Sequence, residues 1–212
     1  SLGWWGVPLA ILGGAIRVGT PLLWVSLGEA VTEKSGRINL GLEGTLLMGA
    51  MTAYAVAWLS GNPWLAVLGA AAVGVLFGLL HGLLCSLNRV NDTAMGIALM
   101  LAGSGLAFWL GKPLIQPSAP DLPSIPLGAF TEQPAVRAAL EINPLFAIGV
   151  VLAFLVHWGL SHTRFGLRLR VVGDSENAAR AFGLSPSAYR VAATAFGGAG
   201  YLNGRRKRDF AV

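Results

Sequence analysis

The chain has 212 residues, of which 54% are hydrophobic and 12% are charged, and its formal net charge is +5. A soluble domain carries about twice that charged fraction, and several apolar runs reach the ~20 residues needed to cross a hydrocarbon core. Composition therefore excludes an ordinary soluble domain and predicts an all-α, polytopic transmembrane helical bundle. The positive charge does not indicate nucleic-acid binding, because the arginines lie beside apolar runs, as membrane topology requires.

Five apolar runs are predicted to span the membrane, at residues 7–30, 40–59, 64–87, 93–110 and 144–160. A sixth begins near Val191 but meets the basic residues 205–208 after about 14 residues, too few for a span. The prediction is a single transmembrane domain over residues 1–212, with about five spans and the start of a sixth.

One charged residue, Arg17, falls inside the first run. An arginine within the hydrocarbon core is costly, so two interpretations remain. Arg17 reaches the interface, which makes residues 1–16 an interfacial helix anchored by Trp4 and Trp5. Alternatively, it pairs with an acidic residue inside the bundle.

The loops between the predicted spans differ in basic content. If residues 163–190 are cytoplasmic, residues 33–39 and 88–92 lie on the same side. These loops hold eight basic residues, against two in the loops at residues 60–63 and 111–143. The positive-inside rule therefore supports this topology.

The predicted outer loop at residues 112–144 contains six prolines before Pro144, which give a stiff, extended connection. It is a spacer or a docking surface for an external partner. A short helix on the membrane is one possibility for residues 135–140.

Residues 27–44 place polar side chains between two apolar runs. Glycines at positions 36, 41 and 44 weaken helix continuity, and Pro21 disturbs the run before them. Broken helices build substrate sites in transporters, so Glu29, Asn39 and Glu43 are candidates for a substrate pathway. The alternative is an ordinary cytoplasmic loop, which Lys34 and Arg37 favour for the loop's centre.

Residues 163–184 form a basic, Gly-punctuated segment that follows the fifth run. A Gly-Asp turn at residues 173–174 is expected to precede a short Ala-rich helix. Ser175 can cap that helix at Glu176, and Gly183 can end it in a left-handed turn. A short apolar face on this helix suits a groove on a partner, although a basic topology signal would explain the arginines alone.

Motifs for catalysis and cofactor binding are not found in the sequence. It contains neither a phosphate-binding Gly-x-x-x-x-Gly-Lys-Ser/Thr loop nor a Gly-x-Ser-x-Gly elbow. His81 and Cys85 could share a helix face, but two ligands make a poor metal site. No catalytic residue, metal or cofactor is therefore predicted.

Two boxes, at residues 27–44 and 163–184, resemble the permease subunits of bacterial ABC importers. The first contains Ser35-Gly36-Arg37-Ile38-Asn39-Leu40-Gly41-Leu42-Glu43-Gly44, and the stretches at residues 15–23 and 90–99 are similar more loosely. The resemblance covers nearly all of residues 7–204. It is closer to the ribose, simple-sugar and nucleoside branch than to the branched-chain amino acid branch.

The resemblance implies a permease of a bacterial inner membrane that imports nucleosides or simple sugars by alternating access. Its implied partners are an ABC ATPase subunit, a second homologous permease chain, an extracytoplasmic substrate-binding lipoprotein and membrane lipid, but no nucleic acid. Residues 163–190 would form the cytoplasmic coupling segment. Its candidate coupling residues are Arg164, Gly166, Arg168, Arg170, Gly173, Asp174, Glu176, Ala179 and Gly183.

The basic residues 205–208 depart from the family pattern, which continues for further spans. This departure suggests a truncated or frame-shifted gene, and less well a fragment of a longer chain. A non-transporting membrane fragment is therefore the alternative function. A secondary transporter or channel is a further alternative, and it predicts charged residues deep within the spans.

Overall fold

A computed structural model describes residues 6–87, 89–114, 125–126 and 141–200 of the chain. These residues form eight α-helices: α1 Gly6–Lys34, α2 Leu42–Ser60, α3 Pro63–Leu84, α4 Asp92–Gly111, α5 Pro144–His162, α6 Arg164–Asp174, α7 Glu176–Ala181 and α8 Pro186–Ala199. A single 3-10 turn, Lys112–Leu114, follows α4. Two-residue strands, β1 Ile125–Pro126 and β2 Glu141–Ile142, pair antiparallel with Ile125 opposite Ile142. The predicted all-α bundle is confirmed, with this short ladder as an addition.

Five helical segments are long and apolar enough to cross a membrane. They are Ile11–Lys34, Leu42–Ser60, Pro63–Leu84, Asp92–Leu114 and Pro144–His162. The five predicted runs are therefore confirmed, but the first extends to Lys34 rather than residue 30 and the third ends at Leu84 rather than residue 87. The predicted helix at residues 135–140 and the basic residues 205–208 lie outside the described residues.

Asparagine side chains fix the starts of three spanning helices. Asn62 Oδ1 accepts a hydrogen bond from the Trp64 amide at 2.9 Å. Asn91 Oδ1 accepts from the Thr93 amide at 2.8 Å, and Asn143 Oδ1 accepts from the Leu145 amide at 2.9 Å. An amide oxygen at this position satisfies a backbone donor that the first helical turn leaves unpaired. These caps explain why α3, α4 and α5 begin where they do.

The first helix is continuous from Gly6 to Lys34, with Pro21 inside it. Residues 6–16 therefore belong to the same helix as Arg17, and their position at the interface stays a prediction. Arg17 lies on an exposed side of α1. At a rise of 1.5 Å per residue it is about 26 Å from Lys34, close to the thickness of a hydrocarbon core. This spacing agrees with the interpretation in which Arg17 reaches the interface opposite Lys34.

Glycine allows α8 to pack directly against α3. A Cβ added at Gly74 would overlap the Gly198 carbonyl, and one added at Gly78 would overlap the Thr194 carbonyl. On the other side of α8, Gly197 meets Gly28 of α1 in the same way. Glycine thus lets these helix backbones approach closely, as small residues do within a bilayer.

The second helix packs against α4 through a similar contact. A Cβ added at Gly103 would lie 2.7 Å from the Gly44 carbonyl oxygen, and one at Gly44 would lie 2.5 Å from that of Met100. The fifth helix joins α1 instead, where the buried indole Nε1 of Trp24 donates to the Leu145 carbonyl at 3.0 Å. These contacts arrange the helices so that the loop after α1 meets the segments before α4 and after α5.

Candidate functional site

The loop between α1 and α2 buries alternate residues and exposes the others. Ser35 is fully buried, and Arg37 and Asn39 are each 4% exposed. Lys34, by contrast, is exposed. The interpretation of this stretch as an ordinary cytoplasmic loop is therefore wrong for Arg37, whose side chain points into the protein.

Two of the three predicted pathway residues are adjacent. The backbone N–H of Asn39 donates to Glu29 Oε1 at 3.2 Å. The other carboxylate oxygen, Glu29 Oε2, is buried without a hydrogen-bond partner among the described residues. Asn39 Oδ1 accepts from the Gly41 amide at 2.9 Å, which forms the turn before α2. Glu43 lies in the first turn of α2 and is exposed. The structure thus pairs Glu29 with Asn39 and leaves Glu43 on the surface.

A buried ion pair joins this loop to the start of α4. Arg37 Nη1 lies 3.0 Å from Asp92 Oδ1, and Arg37 Nη2 donates to Ser86 Oγ at 3.3 Å. The Arg37 side chain is 5% exposed and that of Asp92 is 30% exposed. A buried guanidinium requires a charged partner, so Asp92 fixes the loop to the α3–α4 connection.

The basic segment after α5 differs from its prediction at residues 173–174. Gly173 and Asp174 end the 11-residue helix α6, so the expected Gly-Asp turn is wrong. A Cβ added at Gly173 would lie 2.5 Å from the Lys34 carbonyl oxygen, and Gly36 opposes it with φ +81°. Glycine is needed at position 173 because α6 touches the backbone at the end of α1.

The other predicted coupling residues of α6 divide between the surface and the interior. Gly166 is buried where a Cβ would lie 2.5 Å from the Gly159 carbonyl oxygen. Arg168 donates to Tyr189 Oη at 3.3 Å. The exposed members are Arg164, Arg168, Arg170 and Asp174. Three arginines are thus available to solvent or to lipid phosphates.

The short helix α7 begins and ends as predicted. Ser175 Oγ accepts from the Ala178 amide at 3.3 Å, and Gly183 follows the helix in the left-handed region with φ +72°. Ala179 is fully buried within the chain, whereas Phe182 is 77% exposed. The expected partner-facing position of Ala179 is therefore wrong, and Phe182 is the large apolar side chain that α7 presents.

Glu176 is held by two arginines, one on each side. Its carboxylate accepts from Arg180 within α7 and from Arg190 Nη1 of α8, the latter at 3.0 Å. These hydrogen bonds lower the pKa of the Glu176 carboxyl. The arginines stabilise the charged form of the carboxyl, and its pKa falls for that reason. Any stability from these contacts is therefore present above the unfolded-state pKa of Glu176 and is lost as pH falls through its folded-state pKa.

Arg190 also contacts the loop after α1, because its Nε donates to the Ser35 carbonyl at 3.3 Å. Sequence analysis missed this residue and the Arg37–Asp92 pair. Each contact joins positions far apart in the chain, and neither has a local motif. Only the presence of an arginine beside a spanning helix was visible, and that pattern normally indicates topology alone.

His81 and Cys85 are both buried, and Cys85 Sγ lies 3.8 Å from His81 Nε2. In the part of the chain that the structure describes, no group of three or more histidine, cysteine or acidic side chains could hold a metal ion. The pair fills space between helices.

Residues 4–200 match the family model described as branched-chain amino acid transport system / permease component. The chain is 31% identical over 208 residues to the nucleoside ABC transporter permease protein NupC of Lactococcus lactis, covering 89% of this chain and 63% of that protein. It is 29% identical over 190 residues to the guanosine ABC transporter permease protein NupQ of Bacillus subtilis, covering 82% and 59%. TsgC13 of Haloferax volcanii, provisionally named a glucose ABC transporter permease, is 30% identical over 193 residues, covering 89% and 59%.

The chain thus spans about three fifths of the length of these relatives. No solved structure matches it. The family match nevertheless covers almost the whole chain, including the α1–α2 loop and helices α6 to α8. With its five spanning helices, the chain is a multi-pass membrane protein that belongs to the family of permease components of branched-chain amino acid transport systems.

Proposed function

We propose that this chain is a membrane-spanning permease subunit of an ATP-driven importer of nucleosides or simple sugars, located in a bacterial inner membrane. The observation that carries the proposal is the family match over residues 4–200. Nucleosides and sugars are favoured as substrates because the names of the relatives above specify a nucleoside, guanosine and glucose. Catalysis of ATP hydrolysis belongs to a partner ATPase in this proposal, and a second homologous permease chain and an external binding lipoprotein complete the importer.

The alternatives are weaker on the same observations. A secondary transporter or channel would carry ionisable groups deep in its spans. The buried Arg37–Asp92 pair lies instead at the ends of helices, where a structural role suffices. A non-transporting fragment remains the competing function, and only transport distinguishes it from a working subunit.

Reconstitution tests the proposal directly. The chain is expressed with the ATPase, permease and binding-protein genes that neighbour its own, and uptake of labelled nucleosides and simple sugars into vesicles is measured with and without ATP. ATP-dependent uptake of one class supports the proposal. Uptake without ATP indicates a secondary transporter or channel, and no uptake by an assembled complex indicates a non-transporting fragment.

We further propose that Glu29, Asn39 and Glu43 line the substrate pathway. The support is the buried Glu29 Oε2, which has no partner among the described residues. A buried acceptor of this kind needs a donor, and a substrate hydroxyl or amine would supply one. Glu29→Gln is expected to reduce uptake at limiting substrate by about tenfold, since a hydrogen bond to a charged group contributes about 1.5–3 kcal/mol. Unchanged uptake by Glu29→Gln or Glu43→Gln would remove that residue from the pathway.

Residues 163–190 are proposed as the ATPase-coupling segment, with α7 as the docking element. The exposed Phe182 at the end of α7 supports this assignment, because a large aromatic side chain on an aqueous face suits a pocket on a partner. The three exposed arginines of α6 would contact lipid phosphates at the bilayer edge.

Phe182→Asp is expected to weaken association with the ATPase by at least about 2 kcal/mol, roughly 30-fold, because aromatic anchors dominate interface energies. Copurification of the ATPase with the tagged chain measures this effect. Phe182→Leu is the matched control, since it keeps an apolar side chain and should retain most of the binding. Equal recovery of the ATPase with both variants would contradict docking through Phe182.

A further inference from the structure

We propose that Arg190 is a positioning residue that transmits movement of α7 to the α1–α2 loop. The inference rests on the proposed coupling function, and it names a side chain outside the predicted coupling residues. Arg190 lies in α8, between α7 and the end of α1, and its guanidinium contacts both neighbours. It would therefore move the loop when α7 moves.

The two contacts of Arg190 use different nitrogens. Nη1 donates to Glu176 Oε2 at 3.0 Å, and Nε donates to the Ser35 carbonyl at 3.3 Å. The planar guanidinium fixes the angle between these donors, so the two acceptors are held at a set separation. The side chain is 20% exposed, which limits competition from water. A displacement of Glu176 is consequently passed to the Ser35 peptide rather than absorbed by a flexible side chain.

The far side of the loop is also anchored. Two residues beyond Ser35, Arg37 pairs with Asp92 at the first turn of α4. Asn39 then connects the loop to Glu29 of α1. The loop therefore lies between an α7-linked contact and an α4-linked contact, and it carries Asn39, which contacts Glu29 of α1. Movement transmitted by Arg190 would reach Asn39 along the backbone that follows Ser35, and Glu29 through the hydrogen bond from Asn39.

Backbone packing at Gly173 does not replace this link. Gly173 touches Lys34 and Gly36 from α6, whereas Glu176 and Phe182 belong to α7 and its end. Ser175, in extended conformation with φ −154°, separates the two helices. Among the contacts described here, the Arg190–Glu176 pair is the side-chain link that joins α7 itself to Ser35 of the loop.

The test compares Arg190→Gln with the unsubstituted chain in the assembled importer. Uptake per ATP hydrolysed is expected to fall at least about tenfold while ATP hydrolysis continues, since both charge-assisted hydrogen bonds of the link are lost. Amide hydrogen exchange supplies a readout independent of transport. Exchange at residues 35–37 is expected to be about tenfold faster in Arg190→Gln.

Arg180→Gln is the matched control for the exchange measurement. Arg180 also pairs with Glu176, but its side chain is 67% exposed and only Arg190 donates to Ser35 among the contacts described here. Exchange at residues 35–37 should therefore be unchanged in Arg180→Gln. If both variants accelerate exchange equally, the loss of a positive charge beside Glu176 explains the effect, and the proposal is overturned.

Unchanged exchange at residues 35–37 in Arg190→Gln would also overturn the proposal, whatever the uptake. Faster exchange with normal uptake per ATP would show that the contact exists but does not couple, which overturns the proposal. If Arg190→Gln does not accumulate in the membrane, Arg190→Lys takes its place in the test. Lysine keeps the positive charge, but its single nitrogen cannot contact Glu176 and Ser35 in the geometry of the guanidinium. This variant should therefore also lower uptake per ATP hydrolysed. Failure of the proposed function is separate, because it appears as absence of ATP-dependent uptake by the unsubstituted complex.

Discussion

Gly78→Ala is expected to destabilise the folded chain by about 1–3 kcal/mol, the usual range for inserting atoms into a packed interior. Gly78 lies on α3 where α8 crosses it. A methyl group there would overlap the Thr194 carbonyl and would lie 3.0 Å from the Cα of Ala195. Since these are backbone atoms, no rotamer change can relieve the overlap, and α8 must move away from α3. That movement would also disturb the contact between Gly74 and Gly198.

Gly105→Ala is the matched control for this prediction. Gly105 lies within the spanning helix α4, and a Cβ added to it would have no atom within 4 Å. Alanine has the higher helix propensity by about 1 kcal/mol, so this variant should be neutral or slightly stabilising. Unfolding of the purified variants by heat or by SDS in mild detergent measures both effects. Equal stabilities of the two variants would contradict the close α3–α8 packing.

The fold was largely predictable because each spanning helix has a local signal. Apolar length sets the five spans, and Ser175 and Gly183 were recognised as the limits of α7 from capping chemistry alone. Gly173 was misjudged for a physical reason. Glycine normally weakens a helix, and its value here arises from contact with the Lys34 carbonyl, which no local pattern records.

The candidate site was less predictable, since its contacts join distant parts of the chain. Glu29 and Asn39 are ten residues apart, and both were predicted as pathway residues from the box at residues 27–44, but the hydrogen bond between them was not predicted. Arg37 and Asp92 are separated by 55 positions, and each residue alone looks like a solvated charge beside a span. Charge patterns report the side of the membrane, but they do not show which charges become buried together.

Asp92→Ala is expected to destabilise the folded chain by about 3 kcal/mol, the lower end of the range for breaking a buried ion pair. The cost arises because the buried Arg37 guanidinium would keep its charge without its anion. The 30% exposure of the Asp92 side chain places the effect at the lower end. The loop that carries Asn39 would lose its ion pair with α4, so the variant should also show faster amide exchange over residues 35–41.

Two comparisons isolate the ion pair from other losses. Glu43 and Asp92 both lie in the first turn of a helix, α2 and α4 respectively, but Glu43 is exposed. Glu43→Ala should therefore cost only the helix-dipole contribution of about 0.3–1 kcal/mol. Arg37→Met leaves Asp92 partly hydrated and should cost about 1 kcal/mol. The double variant Arg37→Met/Asp92→Ala should be more stable than Asp92→Ala alone, because it contains no unpaired buried charge. If the double variant is the least stable of the set, the loss is one of packing, and Arg37 does not depend on Asp92 for its burial.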